Sequence, residues 1–444
     1  MTDALTAIIS VTVVLGIMIF VHEWGHFIAA KLCGVRVDVF SFGFGTRIWG
    51  VKRGDTDYRI SALPLGGYVR MAGDNPIEER TGAPYEFLSR PRWQRVIIAV
   101  AGPAMNLLLA FLIYWGAIWM VGIPTPTYLD APPKVAAIPQ FAPVTTGIEP
   151  GDLIVSVNGV RTPSWKKVFS LLNDLKPGET VNLMVAREGV QEKLTGKIPS
   201  APQTDGGDLV GYPLAPAIAD EVEIGFPAEM AGVKSGDEFV GIDGKPIATW
   251  MQMVDVVHHS GGKQIDLVVR RDGKDIPISI TPTKGMDADE NPVWQVGVLQ
   301  KVTNRYEREG FGEAIVFAGA ATLNATHQVT AVLEGLFNGN VSIRKLQGVV
   351  GIARESGRAA RRGLMDLVLF MAAISVNLGV LNLLPIPILD GGHVLLLAIE
   401  GTLRRDLSIS FKERFVQVGL VFLLAIFGFV MYSDIWKWVQ SHFH

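Results

Sequence analysis

Two histidines and a glutamate interrupt GIMIFVHEWGHFIAAKL, Gly16 to Leu32, a segment that otherwise suits a lipid interior. His22 and His26 are four residues apart, so on a helix both imidazoles project from one face and can share a metal ion. Glu23 lies beside them, placed to act as general base toward a water at that metal. Ionisable groups within a span are costly and mark function by default. The plainer alternative, a polar cluster solvated at the membrane surface, leaves the H-E-x-x-H spacing unexplained.

A hydrolytic zinc site takes three protein ligands and keeps one position open. Asp390, in NLLPIPILDGGH, is the first carboxylate after 23 uncharged residues and is the expected third ligand. Pro385 and Pro387 are expected to break the helix before it, and Gly391 and Gly392 to loosen the backbone after it. An ordinary helix end would explain the prolines and glycines but not an aspartate on the buried side.

Such ligands need elements to hold them at one depth. The 444-residue chain is 49% hydrophobic and 19% charged, with a mean hydropathy of +0.30, which points to membrane spans. Uncharged runs cover Ala4 to Val21, Val96 to Leu129, Leu367 to Leu389 and Phe415 to Ser433, each near the roughly 20 residues a spanning helix needs. Four spans are therefore expected, over 1–33, 95–123, 365–398 and 414–436. The first lacks the basic start and cleavage site of a secretory signal and is read as retained.

Lys and Arg set the orientation. None precedes Lys31, eleven lie from Lys31 to Arg95, and Arg404, Arg405, Lys412 and Arg414 fill the connection before the last span. Both termini and the segment between the second and third spans are thus expected outside, which in a Gram-negative bacterium is the periplasm. Ala314 to Leu333 is also uncharged, but Thr322, Asn324, Thr326, His327, Gln328 and Thr330 stud it. With Arg354, Arg358, Arg361 and Arg362 beyond it, 306–364 reads as amphipathic helices lying in the interface. A fifth span there would carry Asp390 about 30 Å across the hydrocarbon, out of reach of the histidines. Cys33 is the lone cysteine, so no intramolecular disulfide forms, and no function is assigned to it. The net charge of -3 says nothing of partners, and no nucleic-acid partner is expected.

The outer region repeats itself. FAPVTTGIEPGDLIVSVNG from Phe141 aligns without a gap on FPAEMAGVKSGDEFVGIDG from Phe226, at an offset of 85. Trp165 and Trp250 keep that offset. Each copy reads as a Gly-Asp turn, a strand, a helix and a further strand, giving domains over 126–220 and 221–305. Gly147, Gly151, Asp152 and Gly159, matched by Gly232, Gly236, Asp237 and Gly244, make both copies resemble PDZ domains. Such a groove accepts an extended peptide as an added strand; a mere spacer is the open alternative.

Between the first two spans, within 34–94, alternating Val37 and Val39 with Phe40, Phe42 and Phe44, then Tyr58, Ile60, Ala62 and Leu63, read as a hairpin. Beside a span, its aromatics suggest that it dips into the membrane, tolerable where protein covers its backbone.

H-E-x-x-H in the first span, N-x-x-P-x-P-x-L-D-G in the third and tandem PDZ-like repeats between the second and third resemble the bacterial site-2 proteases over essentially the whole chain. The resemblance implies a polytopic α-helical membrane protein of the inner membrane: four transmembrane helices, a membrane-entering β-hairpin and two tandem extracytoplasmic PDZ-like domains. It implies Zn²⁺ held by His22, His26 and Asp390, with Glu23 as catalytic base near the cytoplasmic side. Asn382 is expected to contact substrate, together with Pro385, Pro387 and the hairpin glycines Gly43, Gly45, Gly66 and Gly67. His393 falls outside that set. The implied substrates are single-pass transmembrane proteins within the lipid bilayer, of the anti-sigma-factor type already trimmed outside, and remnant signal peptides. Two rival readings are a non-catalytic PDZ scaffold with a structural zinc and a metal or proton transporter; the full base-plus-open-site pattern opposes the first, and the lack of a repeated half the second.

Overall fold

The computed structural model describes residues 2–74, 81–140, 146–198, 207–223, 225–286, 292–338 and 348–443. Contacts divide it into two units, one of Met1–Gly122 with Arg308–Gln440 and one built from Ile123–Glu307. Among the described residues four helical stretches are long and apolar enough to cross a membrane: Ala4–Leu32, Arg92–Met120, Leu364–Asn382 and Ile409–Tyr432. All four belong to the first unit, as a polytopic membrane protein requires.

Helix α1, Thr2–Leu32, is followed by strands β1, Val37–Arg53, and β2, Thr56–Met71, and then by α2, Arg92–Met120. The two strands pair antiparallel around the two-residue turn Gly54-Asp55, with Gly54 at φ +60°. Residues 39–42 pair on both sides, with 67–70 and with 57–60, so the hairpin curls and its central backbone is satisfied. Among the described residues, 67–71 has no second strand partner and forms an edge. Ile48, Trp49, Val51 and Leu63 are exposed on the outer half of the hairpin. Its inner half joins the core of Ala29, Ala30, Val35, Val37 and Ile98 that ties α1 to α2. Where those helices meet, a Cβ on Gly25 would strike the Ala101 carbonyl; small residues let helices approach closely.

In the second unit, strands 160–161, 153–157, 180–187 and 190–197 lie side by side in that order, and 245–246, 238–242, 265–271 and 274–280 repeat the arrangement. Helices Trp165–Asn173 and Trp250–His258 begin on the matched tryptophans, buried in separate cores. Asp152 accepts two hydrogen bonds from the Arg187 guanidinium at 2.8 Å, and Asp237 accepts two from Arg271 at 2.6 and 2.7 Å. Both carboxylates are buried, and the arginines also donate to the carbonyls of Gly147 and Gly232. The first residues of the repeat, 141–145, lie outside the described residues. Asp255 accepts from the Gln140 backbone N–H at 2.7 Å, joining the helix of the second copy to the segment leading into the first repeat.

The first unit resumes with α3, Phe311–Phe337, and α4, Val349–Arg362. Within the stretch expected to hold interfacial helices, 306–364, α3 packs against α2 and the helix that follows α4. Phe311 meets the stacked rings of Trp115 and Trp119 edge-on, at 5.0 and 5.4 Å, while Ala325, Val329 and Leu333 pack against Ala110 of α2 and Ala372 and Val376 beyond. Its threonines do not force contact with water: Thr322, Thr326 and Thr330 donate to the carbonyls of Ala318, Thr322 and His327 in their own helix. Helix α4 does carry polar and apolar faces, and its Gly357 lies against Ala7 of α1.

The expected single span over 365–398 is two helices, α5, Leu364–Asn382, and α6, Asp390–Leu403, separated by residues 383–389. Pro385 and Pro387 lie in that break. Gly391 and Gly392, expected to loosen the backbone, are instead helical and buried. Their role is volume: a Cβ on either would strike the carbonyls of the break, Leu383 and Leu384 for Gly391 and Ile386 for Gly392. Helix α7, Ile409–Phe443, packs through Gly419 on Pro387, and the buried Glu400 of α6 pairs with its Lys412 at 2.6 Å.

Candidate metal centre

Three elements converge on one cavity of about 580 Å³. The inner turns of α1 place His22 and His26 side by side, both buried, with their Nε2 atoms 3.2 Å apart. Helix α6 begins at Asp390, whose Oδ2 lies 3.1 Å from His22 Nε2 and whose Oδ1 lies 3.4 Å from His26 Nε2. Tetrahedral zinc with ligands at its usual bond lengths needs donor atoms about 3.3 Å apart. The two imidazole nitrogens match that spacing, one atom from each of the three side chains lies within 4.8 Å of the others, and the set of two imidazoles and one carboxylate suits a catalytic zinc.

The break at 383–389 aims the aspartate. Ile388 sits at φ +81°, a left-handed conformation for a β-branched residue that costs on the order of 1–3 kcal/mol. Such strain persists where surroundings over-determine it, and the next residue but one is Asp390.

Helix α2 forms the wall behind the ligands. His26 Nδ1 donates to the Ile98 carbonyl at 2.7 Å, which leaves Nε2 with its lone pair facing Asp390. Gly102 lies against both rings, since a Cβ there would stand 2.8 Å from His22 Nε2 and closer to His26 Nε2. Pro103, next in the helix, has no N–H to give the Ala99 carbonyl beside the cavity.

Glu23 faces the same cavity, its carboxylate against the backbone N–H of Val69 on the β2 edge. Asn382, the last residue of α5, places Nδ2 3.4 Å from His22 Nε2. Gly67 is close by: a Cβ there would lie 3.3 Å from Glu23 Cγ. The other expected substrate-binding residues do not line the cavity. Gly43 packs on the carbonyls of Ser61 and Leu63, Gly66 on the Phe44 ring, and Gly45 has positive φ with open space about its Cα. All three shape the hairpin. Pro385 and Pro387 belong to the break that supports Asp390.

Several lining groups escaped the sequence reading. Tyr68, Val69, Ile388 and His393 line the cavity, and Asn106 reaches His22 from α2. His393 is not among the three converging donors. A scan of Val96 to Leu129 for charge passes over Asn106; a scan for any buried polar side chain within a span would have stopped there.

Comparison with known proteins shows the family. A model of peptidase family M50 matches residues 10–426. A putative zinc metalloprotease of Vibrio cholerae serotype O1 is 31% identical over 461 aligned residues, covering 98% of this chain and 99% of its own. The regulator of sigma-E protease RseP of Escherichia coli strain K12 is 32% identical, with 96% of this chain and 97% of its own covered. RseP of Salmonella typhimurium strain 14028s is likewise 32% identical, over 95% and 96%. With relatives matched nearly end to end and a family model spanning most of its length, the chain belongs to peptidase family M50 and is a zinc metalloprotease.

Proposed function

We propose that the protein cuts single-pass transmembrane segments within the inner membrane, with His22, His26 and Asp390 as zinc ligands and Glu23 as general base. The observation that carries this reading is the convergence of three donor atoms, all within 4.8 Å of one another, in a cavity that the Glu23 carboxylate also lines. The two histidines and Glu23 sit on α1, a helix suited to a bilayer. When bound, zinc supplies a Lewis acid and makes a water acidic near neutral pH. Glu23 removes a proton from the attacking water and passes it to the leaving amine. Asn382, beside His22, orients the scissile carbonyl or its developing oxyanion.

A helical substrate hides its carbonyls in i to i-4 hydrogen bonds and has to be extended before it is cut. The edge at residues 67–71, next to Glu23, offers backbone groups with which such a strand can pair. The paired backbone of residues 39–42 and the apolar outer half favour a hairpin that enters the membrane. The two sheets of the second unit act as PDZ-like domains on the periplasmic side, with both termini, and screen substrates before entry. The name shared by the sigma-E protease relatives favours a trimmed anti-sigma factor as substrate, with remnant signal peptides a further class.

Purified protein incubated with single-pass peptides, with and without a zinc chelator, tests the reading, the cut being located by mass. Cuts within the apolar segment that vanish with chelator and in Glu23→Gln are expected. Undiminished cutting by Glu23→Gln would end it.

A further inference from the structure

Asn106 is a wholly buried polar residue on α2, one turn beyond Gly102, with no part in the chemistry above. Its main-chain carbonyl accepts from the Ser375 hydroxyl at 2.9 Å, which fixes the backbone against α5. Its side-chain Nδ2 lies 3.2 Å from His22 Nδ1, while Oδ1 has no hydrogen-bond partner among the described residues.

That arrangement conflicts with a metal on His22. For Nε2 to offer its lone pair to zinc, Nδ1 has to carry the proton. Nδ2–H would then face Nδ1–H, donor against donor. The two ends of a carboxamide have the same shape, and hydrogen bonding decides which faces a neighbour. Exchanging them brings the unpartnered Oδ1 onto the Nδ1–H. His26 already follows this pattern, its Nδ1–H donating to the Ile98 carbonyl two turns earlier on α2.

We propose that Asn106 is the positioning residue for His22: its Oδ1 accepts the Nδ1–H and holds the ring in the tautomer and orientation that present Nε2 to zinc. One helix then orients both imidazoles, one through a main-chain and one through a side-chain acceptor. The proposal rests on His22 being a zinc ligand, and the experiment separates the two.

Zinc affinity is measured by chelator competition on the purified full chain, for the unmutated protein, Asn106→Leu, Asn106→Asp and His22→Ala. Asn106→Leu, similar in size but without an acceptor, is expected to weaken zinc binding by about 10–100-fold. Asn106→Asp restores an acceptor and is expected to bind zinc near the unmutated level. Nitrogen chemical shifts of the His22 ring in the unmutated, zinc-loaded protein should report a protonated Nδ1 and a coordinated Nε2, a readout that needs no variant to fold. Coordination through Nδ1, unchanged affinity in Asn106→Leu, or equal losses in the Leu and Asp variants would each overturn the proposal. Unchanged affinity in His22→Ala would instead overturn the ligand assignment beneath it.

Discussion

Gly102 and His22 are so close that a methyl group on the glycine would stand 2.8 Å from the imidazole Nε2. That is well inside van der Waals contact, so α2 can lie behind the ligands because residue 102 has no side chain. The position tests whether the spacing of the donor atoms matters.

Gly102→Ala should drive the imidazoles off their tetrahedral edges and lower zinc affinity by about 10–100-fold, the range seen when ligand orientation is lost. Chelator competition reads the effect. Affinity equal to that of the unmutated chain would show that the rings have room to spare.

Glu23→Gln keeps the shape of the side chain and removes the base. Zinc content per chain should stay as it is while peptide cleavage falls by about 100- to 10,000-fold. Metal analysis and product mass on one preparation give both numbers, and loss of zinc from this variant would place Glu23 among the ligands instead.

Asp390→Ala removes one of three donors, so zinc should leave at chelator concentrations the unmutated protein withstands. Adding zinc back to chelated unmutated protein should restore cutting. A chain that still cuts after complete metal removal would contradict the zinc chemistry.

The second unit carries an acid-sensitive pair of locks. The Arg187 guanidinium holds the Asp152 carboxyl below its ordinary 3.8, against the opposing effect of burial. Burial pushes Asp237 up, but hydrogen bonds from Arg271 and the Lys234 backbone N–H outweigh it and leave that carboxyl below 3.8 as well. Groups depressed in the folded state contribute their stability above the unfolded value and lose it as pH falls. Unfolding of this unit, followed by tryptophan fluorescence, should therefore be insensitive to these groups above pH 3.8 and grow easier below it. Arg187→Met should unfold more readily at neutral pH and show a shallower acid dependence. An unchanged acid profile in that variant would remove the first lock from the account.

The cluster of converging donors was legible because its residues are expensive where they stand. His22, Glu23 and His26 interrupt an apolar run, and Asp390 ends one, so chemistry and position agreed. The tandem sheets were legible through a constant offset that carries Trp165 onto Trp250 and Asp152 onto Asp237. Less legible were features that depend on volume rather than on charge. Gly391 and Gly392 look like flexible punctuation, yet they are helical and let the break pack on its own carbonyls. Asn106 is uncharged and so did not interrupt its run. The polar residues of α3 carry less information than their number suggests, since Thr322 and Thr326 bond within their own helix.

Asn382 and His22, 3.4 Å apart in the fold, are separated by 360 residues of chain. At ribosomal speeds of about 5–20 residues per second, roughly 20–70 s pass between the synthesis of one and of the other. During that interval the nascent chain carries the histidines and glutamate of the proposed centre without the aspartate that converges on them in the fold. The order in which its parts are made thus acts as a timer, and neighbouring membrane proteins meet the assembled centre only after Asp390 has been made.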